Sequence, residues 1–227
     1  MRLILWLPLF FSFAAGHYYE YSYTTTGKGM DIHGVTRLYV NPAGQSRMEI
    51  DILHGHGPRI IPQTVVLNDA AKPSENLSLF SDTKTYVVNH LDMAHEPDHR
   101  AAAVTLVGRE RVDGYNCVHA RVITNRALGD AGRTIDTLDI WKSADVPSVA
   151  SFTASMESFA SRTGGYNYTP GVAVQLQALG CDGFLVALEL RTPTAHTRQD
   201  LVKASSRDLS DALFQIPSGY IERHGDY

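Results

Sequence analysis

The chain has no Lys/Arg cluster, no internal apolar run long enough to cross a bilayer, and only two cysteines in 227 residues. Each shortage excludes something. With 20 Lys+Arg against 24 Asp+Glu and no concentrated basic patch, there is no electrostatic footprint for nucleic acid. Nor is there a basic amphipathic face suited to lying on a membrane. Beyond the N-terminus nothing approaches the roughly 20 consecutive apolar residues of a spanning helix, so a transmembrane segment in the mature chain is not expected. Familiar catalytic signatures are missing too: no GxSxG elbow or CxxC pair occurs. "TGKGM" at 26–30 has the Gly-Lys of a phosphate loop without the GxxxxGK[ST] spacing, and reads as a turn between strands.

What the N-terminus does contain is a secretory signal. "MRLILWLPLFFSFAAG" joins Arg2, an apolar run from Leu3 to Phe13 and small residues at Ala14, Ala15 and Gly16. No cysteine follows that run, which argues against an N-terminal lipid anchor. The mature protein is expected to begin near His17, leaving 211 residues that suit one domain over 17–227, in the periplasm or outside the cell. In an oxidising compartment an even pair of cysteines is expected to be bonded, so Cys117 and Cys181 are read as a disulfide. They lie 64 residues apart, a loop whose closure is worth ~4 kcal/mol in the chain-entropy model. In "GYNCVHARVI" strand alternation places Cys117 and His119 on one face, with Cα atoms about 6.5 Å apart. A nucleophile–base pair would need a reduced thiol and a third, orienting group. His119 is therefore read as a neighbour of a structural bridge, and no residue is assigned a catalytic role.

The dominant period along the chain is two, the signature of half-buried strands. In "LYVNPAGQSRMEIDI" two alternating segments flank Asn41-Pro42-Ala43-Gly44, a type I turn, which predicts a hairpin. "NLSLFSDTKTYVV" predicts another through Ser81 to Lys84, and "LVGRERVDGYNCVHARVI" a third through Asp113-Gly114. A fourth is expected in "VAVQLQALGCDGFLVALEL" through Asp182-Gly183. The succession predicts a large antiparallel meander. Helical character is expected in Pro147 to Arg162, where Val149, Phe152, Met156 and Phe159 form an apolar stripe, and more weakly in Leu91 to Ala103 and in "LSDALF". Tyr19, Tyr21 and Tyr23 share a strand face, placed there either for packing or to line a ligand cavity.

"NHLDMAHEPDHR" offers His90, Asp92, His95, Glu96, Asp98 and His99, and "HGHG" adds His54 and His56. These residue types could ligate a metal, His95 and His99 being weak candidates four apart with Pro97 between them. A solvated polar loop is the simpler account, and neither a metal nor another cofactor is expected. The sequons at Asn76 and Asn167 are taken as chance.

Taken together, the signal peptide, "GKG", a strand pair ending in "RMEID", then "TKTYVV", "VDGYNCVHARV", "DIWKSADVP", "GFLVALEL" and "LFQIPSGY" resemble an exported bacterial domain-of-unknown-function family. That family is related to the outer-membrane lipoprotein-sorting carriers, the LolA/LolB/LppX-like superfamily. The resemblance implies an α+β fold: a strongly curved antiparallel sheet, an incomplete LolA-like β-barrel, with one or more helices over its concave face. It also implies a non-enzymatic carrier for an apolar ligand, a lipid or acyl chain. The ligand cavity would then be lined by Val149, Phe152, Met156 and Phe159, with Tyr19, Tyr21 and Tyr23. Two alternatives stand beside it: an envelope scaffold with a filled core whose partner is another envelope protein, and a metal-binding protein using the His90–His99 loop.

Overall fold

In the computed structural model, residues 15–56, 63–69, 71–72, 74–90, 102–127, 133–148 and 172–223 are described. Alternation and turn chemistry produce twelve strands among them: β1 (Gly16–Gly27), β2 (Met30–Val40), β3 (Gln45–His56), β4 (Gln63–Asp69), β5 (Glu75–Phe80), β6 (Thr85–His90), β7 (Ala102–Val112), β8 (Tyr115–Ala127), β9 (Arg133–Ser143), β10 (Phe184–Arg191), β11 (Ala195–Arg207) and β12 (Ile221–Glu222). One helix, α1 (Val172–Ala178), precedes β10, and a 3-10 turn at Asp211–Phe214 follows β11.

All twelve strands form one sheet in the order β12-β6-β5-β4-β3-β2-β1-β11-β10-β9-β8-β7. It consists of two meanders, β1 to β6 and β7 to β11, joined where β1 pairs with β11 from Gly16↔Arg207 to Gly27↔Ala195. The pairs are antiparallel except β12 with β6. Hairpin turns fall where residue chemistry placed them. Gly44 N–H donates to the Asn41 carbonyl at 3.0 Å and closes the β2–β3 turn. Asp113 and Gly114 both take positive φ (48° and 90°), the geometry a two-residue turn needs to match strand twist. The segment of "LSDALF" expected to be helical is the 3-10 turn, capped by the Ser210 side chain.

Two expectations change. Asp182-Gly183 is not a hairpin turn: residues 172–178 are helical, and the dipeptide follows α1 and leads into β10. Cys181 N–H donates to the Leu176 carbonyl at 2.8 Å and Gly180 N–H to that of Gln177 at 2.9 Å, the paired bonds that end a helix in a Schellman motif. Second, Ala102 and Ala103 open β7 instead of closing a helical segment. The stripe from Val149 to Phe159 lies outside the described residues, as do residues 1–14 and 91–101. Strand β1 begins at Gly16, one residue before the expected mature start.

Packing divides into three clusters. One joins Tyr19, Tyr21, Leu38 and Val40 of the first meander to Cys117, Trp141, Phe184, Val186 and Ala187 of the second. A second puts Val118, Ala120, Val122, Leu138, Ile140 and Leu188 beneath Val172 and Leu176 of α1. Since Cys117 and Val118, and Ile140 and Trp141, are consecutive residues assigned to different clusters, the β8–β9 pair is buried on both faces. The third, smaller cluster sits on β4 and β5, where Ile216 and Tyr220 of the C-terminal segment cover Val65, Leu67 and Leu79.

Candidate functional site

The tyrosines at the start of the chain hold the seam between the meanders. Tyr19 is wholly buried, stacks on Phe184 with ring centroids 4.1 Å apart, and donates its phenol hydrogen to the Pro147 carbonyl at 2.6 Å. Tyr21 donates to the Leu185 carbonyl at 2.9 Å. Burial pushes both phenols well above their usual range, so they act as permanent donors. Tyr23 lies over Gly34, where an added Cβ would come within 2.4 Å of the ring and 2.5 Å of the Asp51 carbonyl oxygen. A glycine at this bulged position makes room for an aromatic neighbour.

On the other face of β8–β10, the residues at alternate positions are apolar: Val118, Ala120 and Val122 on β8, Leu138 and Ile140 on β9, Leu188 on β10. Helix α1 presents Val172 and Leu176 to this face, four apart and therefore on one side. Val104, Leu185 and Leu190 continue it, partly buried. Beyond Val122 and Leu138, which are partners, the same face turns polar at Thr124 and its partner Asp136, then at Thr134. All three are buried.

A charged clasp occupies the face that Cys117 shares. Asp139, with its side chain 1% exposed, accepts from Arg121 Nε and Nη2 at 2.8 and 3.1 Å, from Arg191 Nη1 at 2.9 Å, and pairs with His119 Nε2 at 2.9 Å. His119 Nδ1 lies 3.0 Å from Glu110, and its ring stacks on Trp141 at 4.1 Å. Trp141 in turn donates to Glu110 at 2.6 Å and carries the Arg198 guanidinium over its ring. Burial alone would raise the Asp139 carboxyl pKa, but the bonds from Arg121, His119 and Arg191 prevail and hold it below the ordinary carboxylate value. The cluster requires three adjacent strands in register: Arg121 opposite Asp139, and Asp139 opposite Glu189. Alternation within "CVHARV" and "DIWKS" was its one sequence signal.

This arrangement answers the Cys117–His119 question. The two share a face, but both His119 ring nitrogens are engaged by carboxylates, and Cys117 Sγ donates to the Tyr115 carbonyl at 3.6 Å. Burial raises the Cys117 thiol pKa, which disfavours a thiolate nucleophile. The expected disulfide is also absent: Cys117 and Cys181 are free thiols. Cys117 belongs to the seam cluster, whereas Cys181 packs with Val118 beneath α1 and donates to the Val118 carbonyl at 3.6 Å. The sheet separates them.

Of the metal candidates, His90 is exposed and pairs with Glu75 at 3.5 Å, and the His54 ring lies 6.3 Å from that of His33. His95 and His99 lie outside the described residues, among which no group of three or more His, Cys, Asp or Glu side chains is arranged to hold a metal ion. No helix among the described residues is long and apolar enough to cross a membrane.

The family described as "Domain of unknown function (DUF4412)" matches residues 30–220, from the end of the first hairpin turn to the segment before β12. The chain belongs to the DUF4412 family. No curated protein sequence matches it. Among solved structures, this DUF4412 chain is similar to a LolA superfamily protein of Nitrosomonas europaea, at 8% identity over 88% of this chain and 90% of that one, with a TM-score of 0.34. It is similar also to a putative outer membrane lipoprotein-sorting protein domain from Vibrio parahaemolyticus, at 8% identity over 88% and 89%, TM-score 0.38. The Mycobacterium tuberculosis lipoprotein LppX aligns at 10% identity over 82% and 85%, TM-score 0.36.

Proposed function

We propose that the chain is an exported, non-enzymatic binding or carrier protein of the cell envelope, and that it takes an apolar ligand, a lipid or acyl chain, against the helix-covered face of β8–β10. The observation that carries this reading is the apolar make-up of that face. Six apolar side chains from three adjacent strands are buried on that face, and of the described residues packed over them α1 supplies Val172 and Leu176. The sequence resemblance to lipoprotein-sorting carriers points the same way, as does the N-terminal signal, and the apolar stripe Val149, Phe152, Met156 and Phe159 is assigned to the cavity wall. Affinity would come from burial: an acyl chain losing ~300 Å² of apolar surface gains about 7 kcal/mol before the cost of immobilisation is subtracted.

A second reading, a scaffold with a filled core that binds another envelope protein, is favoured by the seam, where Tyr19, Tyr21 and Phe184 pack ring to ring and against backbone carbonyls. Native mass spectrometry of protein released gently from its own envelope separates the two. A lipid mass on the folded chain supports the carrier, and lowered occupancy in Phe152→Ala places the ligand at the stripe. Bare protein, together with no binding of a fluorescent fatty acid after delipidation, leaves the scaffold.

A further inference from the structure

We propose that Thr124 and Thr134 hold the polar head of a single-chain amphiphile, so that the site prefers a chain with a hydrogen-bonding head to a bare hydrocarbon. This rests on the carrier reading and specifies its ligand. Both threonines are on the face of β8–β9 that carries the apolar residues, Thr124 immediately past the Val122–Leu138 pair and opposite the buried Asp136, Thr134 one pair further, and they are 1% and 6% exposed. Their hydroxyl oxygens are buried and have no hydrogen-bond partner among the described residues. A buried hydroxyl without a partner is costly, and native structures rarely retain two side by side. Neither is a chance bystander of a turn: each is at a regular register position, where valine would fit the strand and the apolar face at least as well.

Their spacing indicates what they would bind. Thr124 is opposite Asp136, so Thr134 is its diagonal neighbour on the adjacent strand. Such pairs stand about 7–8 Å apart, and less between side chains. A head carrying two polar atoms a few ångströms apart, as an ester carbonyl and a hydroxyl are in a monoacylglycerol, can reach both hydroxyls. The chain would then run over Val122 and Leu138 towards α1. Each threonine hydroxyl both donates and accepts, which suits either polar atom.

The test compares the delipidated wild-type chain with Thr124→Val/Thr134→Val, which keeps shape and removes both hydroxyls. The probes are 1-monomyristoylglycerol and tetradecane delivered from cyclodextrin, each displacing a fluorescent fatty acid. Wild type is expected to prefer the monoacylglycerol by about tenfold, the worth of a net hydrogen bond or two. The double variant should lose that preference while tetradecane binding stays unchanged. The apo variant should also melt higher than the apo wild type, because an unsatisfied polar pair has been removed. Thr124→Ser, which retains a hydroxyl, should keep most of the preference and guards against a folding defect. An unchanged preference in the double valine variant overturns the proposal and leaves the carrier reading intact. A lower melting temperature with unchanged preference shows the hydroxyls satisfied by water, and also overturns it. A wild-type chain that binds neither probe defeats the carrier reading itself.

Discussion

Replacing Asp139 with asparagine keeps the side-chain shape and removes the charge on which Arg121, Arg191 and the His119 ring converge. If Asp139 were sealed away with its partners, breaking such a cluster would cost about 3–5 kcal/mol. Here the carboxylate is 1% exposed but Arg121 and Arg191 are 41% and 47% exposed, so both guanidinium groups can return to water once released. That discounts the cost to roughly 2–3 kcal/mol at neutral pH. The pH dependence has a definite sign. The native carboxyl pKa lies below its unfolded value, so its stabilisation is complete above the unfolded pKa near 3.9 and is lost as pH falls through the native one. The gap between wild type and Asp139→Asn should thus be full at pH 7, nearly full at pH 5, and shrink below pH 4. Urea denaturation of both proteins at pH 7, 5, 3 and 2 measures it, with circular dichroism and tryptophan fluorescence as independent probes of two-state behaviour. Trp141 stacks on His119, so its emission reports the clasp directly. A difference below 0.5 kcal/mol at pH 7, or a difference of full size persisting at pH 2, refutes the account.

Two further outcomes follow from the geometry. Denaturation without reductant should reveal two titratable thiols per chain, and in the native protein both should resist alkylation at pH 8, Cys181 the more strongly since burial pushes its pKa up to about 11; a chain with no free thiol would restore the bridge. Gly34→Ala should destabilise by about 1–3 kcal/mol, because the new methyl meets both the Tyr23 ring and the Asp51 backbone; combining it with Tyr23→Ala should recover part of that loss, and a cost unchanged by the second substitution would place the strain elsewhere.

The strands were readable because their information is local. Alternation names the faces, and Asn41-Pro42, Ser81 to Lys84 and Asp113-Gly114 carry the turn chemistry within four residues. The segment "VAVQLQA" was misread because it satisfies both periods: Val172, Val174 and Leu176 alternate as in a strand, while Val172 and Leu176 are also four apart. Tertiary contact decided the matter, burying the latter pair and leaving Val174 exposed. The Asp139 clasp was illegible for a different reason. Its members come from β7 to β11, and only register across those strands shows that His119 belongs with carboxylates. The cysteine pairing failed on a similar point, since parity along β8 sets Cys117 on one face and the turn after α1 delivers Cys181 to the other.

The pairing of β1 with β11 also bears on how such a chain could fold. Gly16 and Arg207 are neighbours in the middle of the sheet, so the seam cannot form until nearly the whole described chain is present. Each meander can nucleate through its own short hairpins, but joining them closes a loop of almost the full length, and contacts of such sequence separation are slow to form. Until then each half presents an open strand edge and an uncovered apolar face. On the proposed reading of an exported chain, that delay is an advantage: an incomplete chain lacks the partner strand needed to complete the sheet, and remains unfolded enough to pass a translocon.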